Sequence, residues 1–228
     1  MNNLRRLLAR WLYIATVTFS IGFVGMHFGR RTEWYKDRVY HELLRGDEEQ
    51  RLHAATILAL VGGERQLLEA LRQDDPQVHS IARRGLEHLW LTAAGSGVYG
   101  EIERANDAVE KKDFKEALRI LDQVTARHPG FAEGWNRRGA VLWQSGEFAR
   151  SIADCRRALK LNPNHYAALQ GLGICHLQLG EVDEAVRSLR QALKISPHDE
   201  TTQRSLRRCE EFLRSHRTAK TQGRGELL

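Results

Sequence analysis

His41 and Glu42 form the chain's one adjacent His-Glu step, a pair that can hold iron when it recurs on successive helices. It does not recur, because Arg51 and His53 stand where a second step would be needed. The pair therefore reads as part of a solvated helix face. Cysteine chemistry fares no better. Cys155, Cys175 and Cys209 are odd in number, fall in helical patterns and lack C-x-x-C spacing, so they read as small buried hydrophobes. The chain has no glycine loop for phosphate, no G-x-S-x-G and no H-E-x-x-H. No catalytic residue, metal, cofactor or small-molecule substrate is assigned, and the chain does not read as an enzyme.

Charge narrows the partners. The formal charge of +6 is carried by the two ends. Residues 1–45 hold eight Lys or Arg against three Asp or Glu, residues 214–228 hold four against one, and the middle carries −2. A nearly neutral middle lacks the basic stripe of a nucleic-acid binder, so no nucleic acid is expected.

The elements that must position any binding side chain are set by a regular interval. Pro129, Pro163 and Pro197 stand 34 residues apart, and only Pro76 is found elsewhere. The same interval relates Phe114, Phe148 and Val182, then Ala117, Ser151 and Ala185, then Leu121, Cys155 and Leu189, then Ala105, Gly139 and Gly173. Each copy reads as two helices. In the middle one, Trp135, Gly139 and Leu142 recur at three to four residues, Gly146 interrupts, and Ile152, Cys155, Ala158 and Leu159 resume before Asn162-Pro163 ends the pattern. Small residues fall where two helices approach most closely.

The period, the Trp135 to Gly139 offset, the small residue at Ser151 or Ala185 and the closing proline together resemble the tetratricopeptide repeat. Three copies fall at 98–131, 132–165 and 166–199, the first being the most degenerate, with Glu101 and Ala105 in place of Trp and Gly. The resemblance implies an all-α, right-handed solenoid whose concave face binds a protein or peptide partner. It places groove positions on Tyr99, Asn106, Asn136, Arg137, Trp143, Gln144, Gln170 and Gln178, with Ile102, Val109, Ala140, Ala167, Ile174 and Leu177 between them. Amides both donate and accept to an extended backbone, arginine forks onto a carboxylate, and tryptophan supplies a wide anchor. Family members that clamp an acidic chaperone terminus need basic residues where this chain has Ile102, Ala167 and Gly171, which argues against that use.

The flanks add further expectations. Trp11 to Phe28 is uncharged and bracketed by arginines, and its length is near the minimum for crossing a bilayer. Residues 1–31 read as a single-pass anchor, a cleaved signal peptide, or an amphipathic or buried helix. The anchor predicts membrane localisation through residues 11–28 with the side of the repeats undetermined, and the signal peptide a secreted or periplasmic protein. Residues 32–96 carry a fainter repeat in which Arg51, Ala54, Ile57 and Leu58 recur as His79, Ala82, Gly85 and Leu86. With the Asp74-Asp75-Pro76 turn, this segment resembles HEAT-like repeats, and being too small for its own core it should pack on its neighbours. A boundary is expected at 92–97 (TAAGSG), a capping helix at 200–215 and a disordered tail at 216–228.

The function this implies is a membrane-tethered adaptor or scaffold. The alternatives are an assembly or biogenesis factor on the outer face of a bacterial membrane, and a lyase or enzyme subunit whose His, Glu and Asp residues would cluster within 41–90.

Overall fold

A proline cannot continue a helix, and it pushes the residue before it toward extended backbone. His128, Asn162 and Ser196 obey this at three equivalent corners, with φ of −125°, −134° and −123° as C-caps. After each proline the chain closes the same turn. Phe131, His165 and Asp199 donate their N–H groups to the carbonyls of His128, Asn162 and Ser196 at 3.0, 3.2 and 3.3 Å.

A computed structural model describes residues 32–225. The described residues are all-helical, in the order α1 (Glu33–Arg45), α2 (Glu48–Val61), α3 (Glu64–Ala70), α4 (Pro76–Thr92), α5 (Ser96–Glu110), α6 (Phe114–Arg127), α7 (Ala132–Gln144), α8 (Phe148–Leu161), α9 (Tyr166–Gln178), α10 (Val182–Ile195) and α11 (Glu200–Gly225). Helices α5 to α10 form three antiparallel pairs, and α11 closes the series against α10. It runs to Gly225, well beyond the 200–215 cap.

Within each pair the turn is a left-handed C-cap. Lys112, Gly146 and Gly180 adopt φ of 59°, 79° and 76°. The following N–H reaches back to the helix, from Asp113 to Ala108, Glu147 to Leu142 and Glu181 to His176, at 2.8, 2.8 and 2.9 Å. Only glycine enters this region without steric cost, so the first unit, with Lys112, carries strain that the others lack. Close approach explains the small residues. A Cβ on Gly173 would lie 2.7 Å from Leu189, and Ser151 donates a 2.7 Å hydrogen bond to the Gly139 carbonyl across the α7–α8 contact.

The units are also tied by charge. Arg138 of α7 forks onto the buried Asp154 of α8 at 2.7 and 2.8 Å and reaches Asp122 of α6 at 2.9 Å. Trp135 covers Arg138 at 4.7 Å and donates to the Pro129 carbonyl at 3.1 Å.

Helices α1 to α4 build their own apolar centre from Leu43, Leu58, Leu67, Leu71 and Leu86, all fully buried. Each contributes about 2 kcal/mol through burial. Capping sets their ends. Asp47 and Gln50 form a reciprocal capping box at α2, and Asp75 caps α4 ahead of Pro76. Arg51 binds Asp75, Gln77 and the Leu44 carbonyl, joining α1, α2 and α4.

This segment packs on its neighbours over a wide front. Tyr166 belongs to its core, and Ala167 and Ile195 pack against it. The His79 ring stacks on His198 at 5.1 Å, and Trp90 stacks on His165 at 4.5 Å. Helix α4 therefore runs along the inter-repeat corners, its start at the third and its end near the second. It passes into α5 through residues 93–95.

Membrane localisation requires correction. Among the described residues no helix is long and apolar enough to cross a membrane. Residues 11–28, on which the single-pass and secreted or periplasmic expectations rested, lie outside the described residues.

Candidate functional site

The groove positions expected from the repeat divide into three groups. Asn136, Trp143 and Gln170 come together, with Ala140, Ala167 and Ile174, around a cleft of about 230 Å³ between α7 and α9. Gly139, Gly171 and Cys155 form its floor. Tyr99 and Asn106 lie apart on α5, where Tyr99 is 37% exposed and Asn106 donates to Glu103 at 3.4 Å. Gln144 and Gln178 are exposed at the last positions of α7 and α9. Two intervening positions belong to packing instead. Ile102 is fully buried in the first unit, and Leu177 packs on the core beneath α11.

The hydrogen bonds give the cleft its chemistry. The Asn136 amide nitrogen donates to Glu133 at 3.2 Å. The Gln170 nitrogen donates to Asp199 and Thr202 of the next corner at 3.2 and 2.9 Å. Both donors are thus engaged, and the amide carbonyls are the groups left to accept from a ligand. Trp143, 39% exposed, stands beside them as an apolar wall.

Arg137 is not a free cation. It pairs with Glu133, which is 4% exposed. His165 Nε2 lies 2.8 Å from the same carboxylate, and its Nδ1 accepts from the Ala168 N–H at the start of α9. Because Nδ1 accepts, Nε2 carries the proton and donates to Glu133. Burial alone would raise the Glu133 carboxyl, but the His165 hydrogen bond and the Arg137 charge outweigh it and hold the group below its ordinary value.

Behind His165 the chain of contacts continues. Trp90 stacks on its ring and donates to Glu64 at 2.8 Å, and Asn162 donates to the same oxygen at 3.1 Å. Sequence reading missed Glu133, His165, Glu64 and Trp90. Glu133 and His165 are 32 residues apart, and Glu64 and Asn162 are 98 apart, so no local pattern joins them.

Burial raises all three thiols, Cys155 to about 12, which suits packing rather than nucleophilic chemistry. Among the described residues no group of three or more His, Cys, Asp or Glu could hold a metal ion. Within 41–90 the titratable groups displaced from their ordinary values are Arg65, Asp75 and His79, and they do not line one common cleft.

Comparison with known proteins agrees with this geometry. Two tetratricopeptide repeat family models match, over residues 102–163 and 142–209. Helices α1 to α4 fall outside both. A TPR repeat-containing protein of Rhizobium etli is 30% identical over 108 residues, which are 47% of this chain and 53% of that protein. The chain thus spans about half the length of the curated relative it matches. Among solved structures, the Sgt2 TPR domain from Aspergillus fumigatus superposes with a TM-score of 0.51 at 16% identity, covering 52% of this chain and 80% of that one. The first TPR domain of human RPAP3 gives 0.50 at 20% identity, covering 52% and 93%. At such identities the likeness is one of fold. With three equivalent proline corners, paired helices at a constant interval and two matching family models, residues 102–209 are an array of tetratricopeptide repeats.

Proposed function

We propose that this chain is a protein-protein interaction adaptor, and that the cleft between α7 and α9 holds an extended segment of a partner protein. One observation carries the reading: the carbonyls of Asn136 and Gln170 remain available beside the half-exposed Trp143 in a cleft of about 230 Å³. Two acceptors suit the N–H groups of an extended backbone, and the indole suits an apolar side chain between them. Arg137 is neutralised by Glu133, so the segment expected is neutral rather than acidic. Helices α1 to α4 act as a brace that holds the corners from which α7 and α9 start.

The test is capture of partners from source cells with the full chain, and again with an Ala140→Arg, Trp143→Ala double variant. Ala140 is exposed in the cleft, so an arginine there obstructs it without entering the core. Arg137 is left intact, because removing it would strand a buried carboxylate. The partners retained by the native chain should be lost. Retention of the same set by the double variant would remove the groove from the account.

A further inference from the structure

A second cavity, larger than the α7–α9 cleft, lies elsewhere among the described residues. It measures about 650 Å³ and opens where the end of α4 meets the first two proline corners. Its size lies within the range of ligand sites, roughly 300–1,000 Å³. Leu89, Trp90, Phe131, Leu161 and Pro163 give it apolar and aromatic walls. Neither wall exists without the other, since Leu89 and Trp90 come from α4 while the rest come from the repeats.

The polar lining is one-sided. No Lys or Arg contributes, and the charged side chains are Glu64 and Glu133. Glu133 is saturated by Arg137, His165 and Asn136. Glu64 is not. Trp90 and Asn162 both donate to its Oε1, at 2.8 and 3.1 Å, which fixes the carboxylate while Oε2 accepts no hydrogen bond among the described residues. A carboxylate held in place on an apolar wall, with one oxygen unused and no lysine or arginine in the lining, is preorganised for a positive ligand.

We propose that this cavity is a second binding site, distinct from the α7–α9 groove, which takes a lysine or arginine side chain flanked by apolar residues in a partner polypeptide. The cation meets Glu64 Oε2, and the neighbouring apolar side chains lie between Trp90 and Phe131. Charge complementarity selects this occupant, because an acidic segment would face Glu64 with no lysine or arginine of the lining to offset it.

The probe is a fluorescein-labelled pentapeptide amide, Leu-Leu-Lys-Leu-Phe, titrated by anisotropy against the full chain. Two control peptides replace the central lysine by norleucine or by glutamate. The lysine peptide should bind, and each replacement should weaken it by at least about tenfold, the scale of one hydrogen bond to a charged group. Glu64→Gln, which keeps an acceptor for Trp90 and Asn162, should weaken the lysine peptide equally and leave the norleucine peptide unchanged. Ala93→Lys, at an exposed lining position, should compete for Glu64 and lower binding without altering the thermal melt. Trp143→Ala should have no effect. The proposal is overturned by no binding up to about 1 mM, a concentration that would register even very weak association. It is equally overturned if the three peptides bind alike, if Glu64→Gln is indifferent, or if Trp143→Ala abolishes binding.

Discussion

The indole of Trp90 lies 4.5 Å from the imidazole of His165, the two planes 24° apart, although one ring ends α4 and the other caps α9. Through this stack the early helices and the third repeat share one packed surface. Truncating the indole would open a cavity and loosen the ring that holds Glu133. Trp90→Ala should cost about 3–5 kcal/mol in urea unfolding followed by far-UV circular dichroism. Trp90→Phe keeps a ring on His165 and loses only the hydrogen bond to Glu64, so it should cost about 1 kcal/mol.

Glu133 makes stability depend on acid. Its carboxyl is held below the ordinary value in the folded chain, so its contribution is fully present above the unfolded carboxylate range, about pH 4.3. That contribution disappears as pH falls through the lowered folded value. Urea midpoints of the native chain and Glu133→Gln should therefore be well separated at pH 7 and converge toward pH 3. A separation independent of pH would contradict the assignment.

The His79–His198 stack responds in a higher window. Burial, then the neighbouring His198 and Arg83, push the His79 imidazole below its ordinary value, while Asp75 opposes weakly. The unfolded chain thus takes up a proton first. Stability conferred by keeping this ring neutral is present above about pH 6.5 and lost as pH falls through the folded value. Hydrogen exchange in α4 should accelerate between pH 7.5 and pH 5.5 beyond the intrinsic chemical trend. His79→Phe, which preserves a stacking ring, should abolish the excess.

Lys112 occupies the left-handed position that the other two units give to glycine. Lys112→Gly should stabilise the chain by about 1 kcal/mol, and Gly146→Ala should destabilise it by a similar amount. Thermal melts of the two variants should shift in opposite directions. Shifts in the same direction would show that the turns are not equivalent.

How much was legible in the sequence can be argued from these same residues. Prolines 129, 163 and 197 announce the corners because proline acts on its own and the preceding residue, within reach of a local pattern. Glycines 139 and 173 announce close helix approach for the same reason. The cleft at Asn136, Trp143 and Gln170 followed from the repeat resemblance, since equivalent positions on successive first helices become neighbours. What stayed hidden is contact across long separations. Nothing near Glu133 reveals that His165 engages it, and nothing near Glu64 reveals Trp90 and Asn162. The brace of α4 on the corners was foreseen only as a need for neighbours, because its register depends on the stacks at His165 and His198. Membrane localisation rested on residues 11–28 alone, and no helix among the described residues supports it.

The central claim is that partners enter the cleft between α7 and α9. A photo-reactive amino acid at position 140, exposed inside the cleft, can be compared with one at position 149, exposed on α8 and outside the cleft lining. Irradiation in source cells should give a discrete crosslinked partner from position 140, suppressed by Trp143→Ala, and none from position 149. Equal crosslinking from both positions, or crosslinking from 149 alone, would contradict the account.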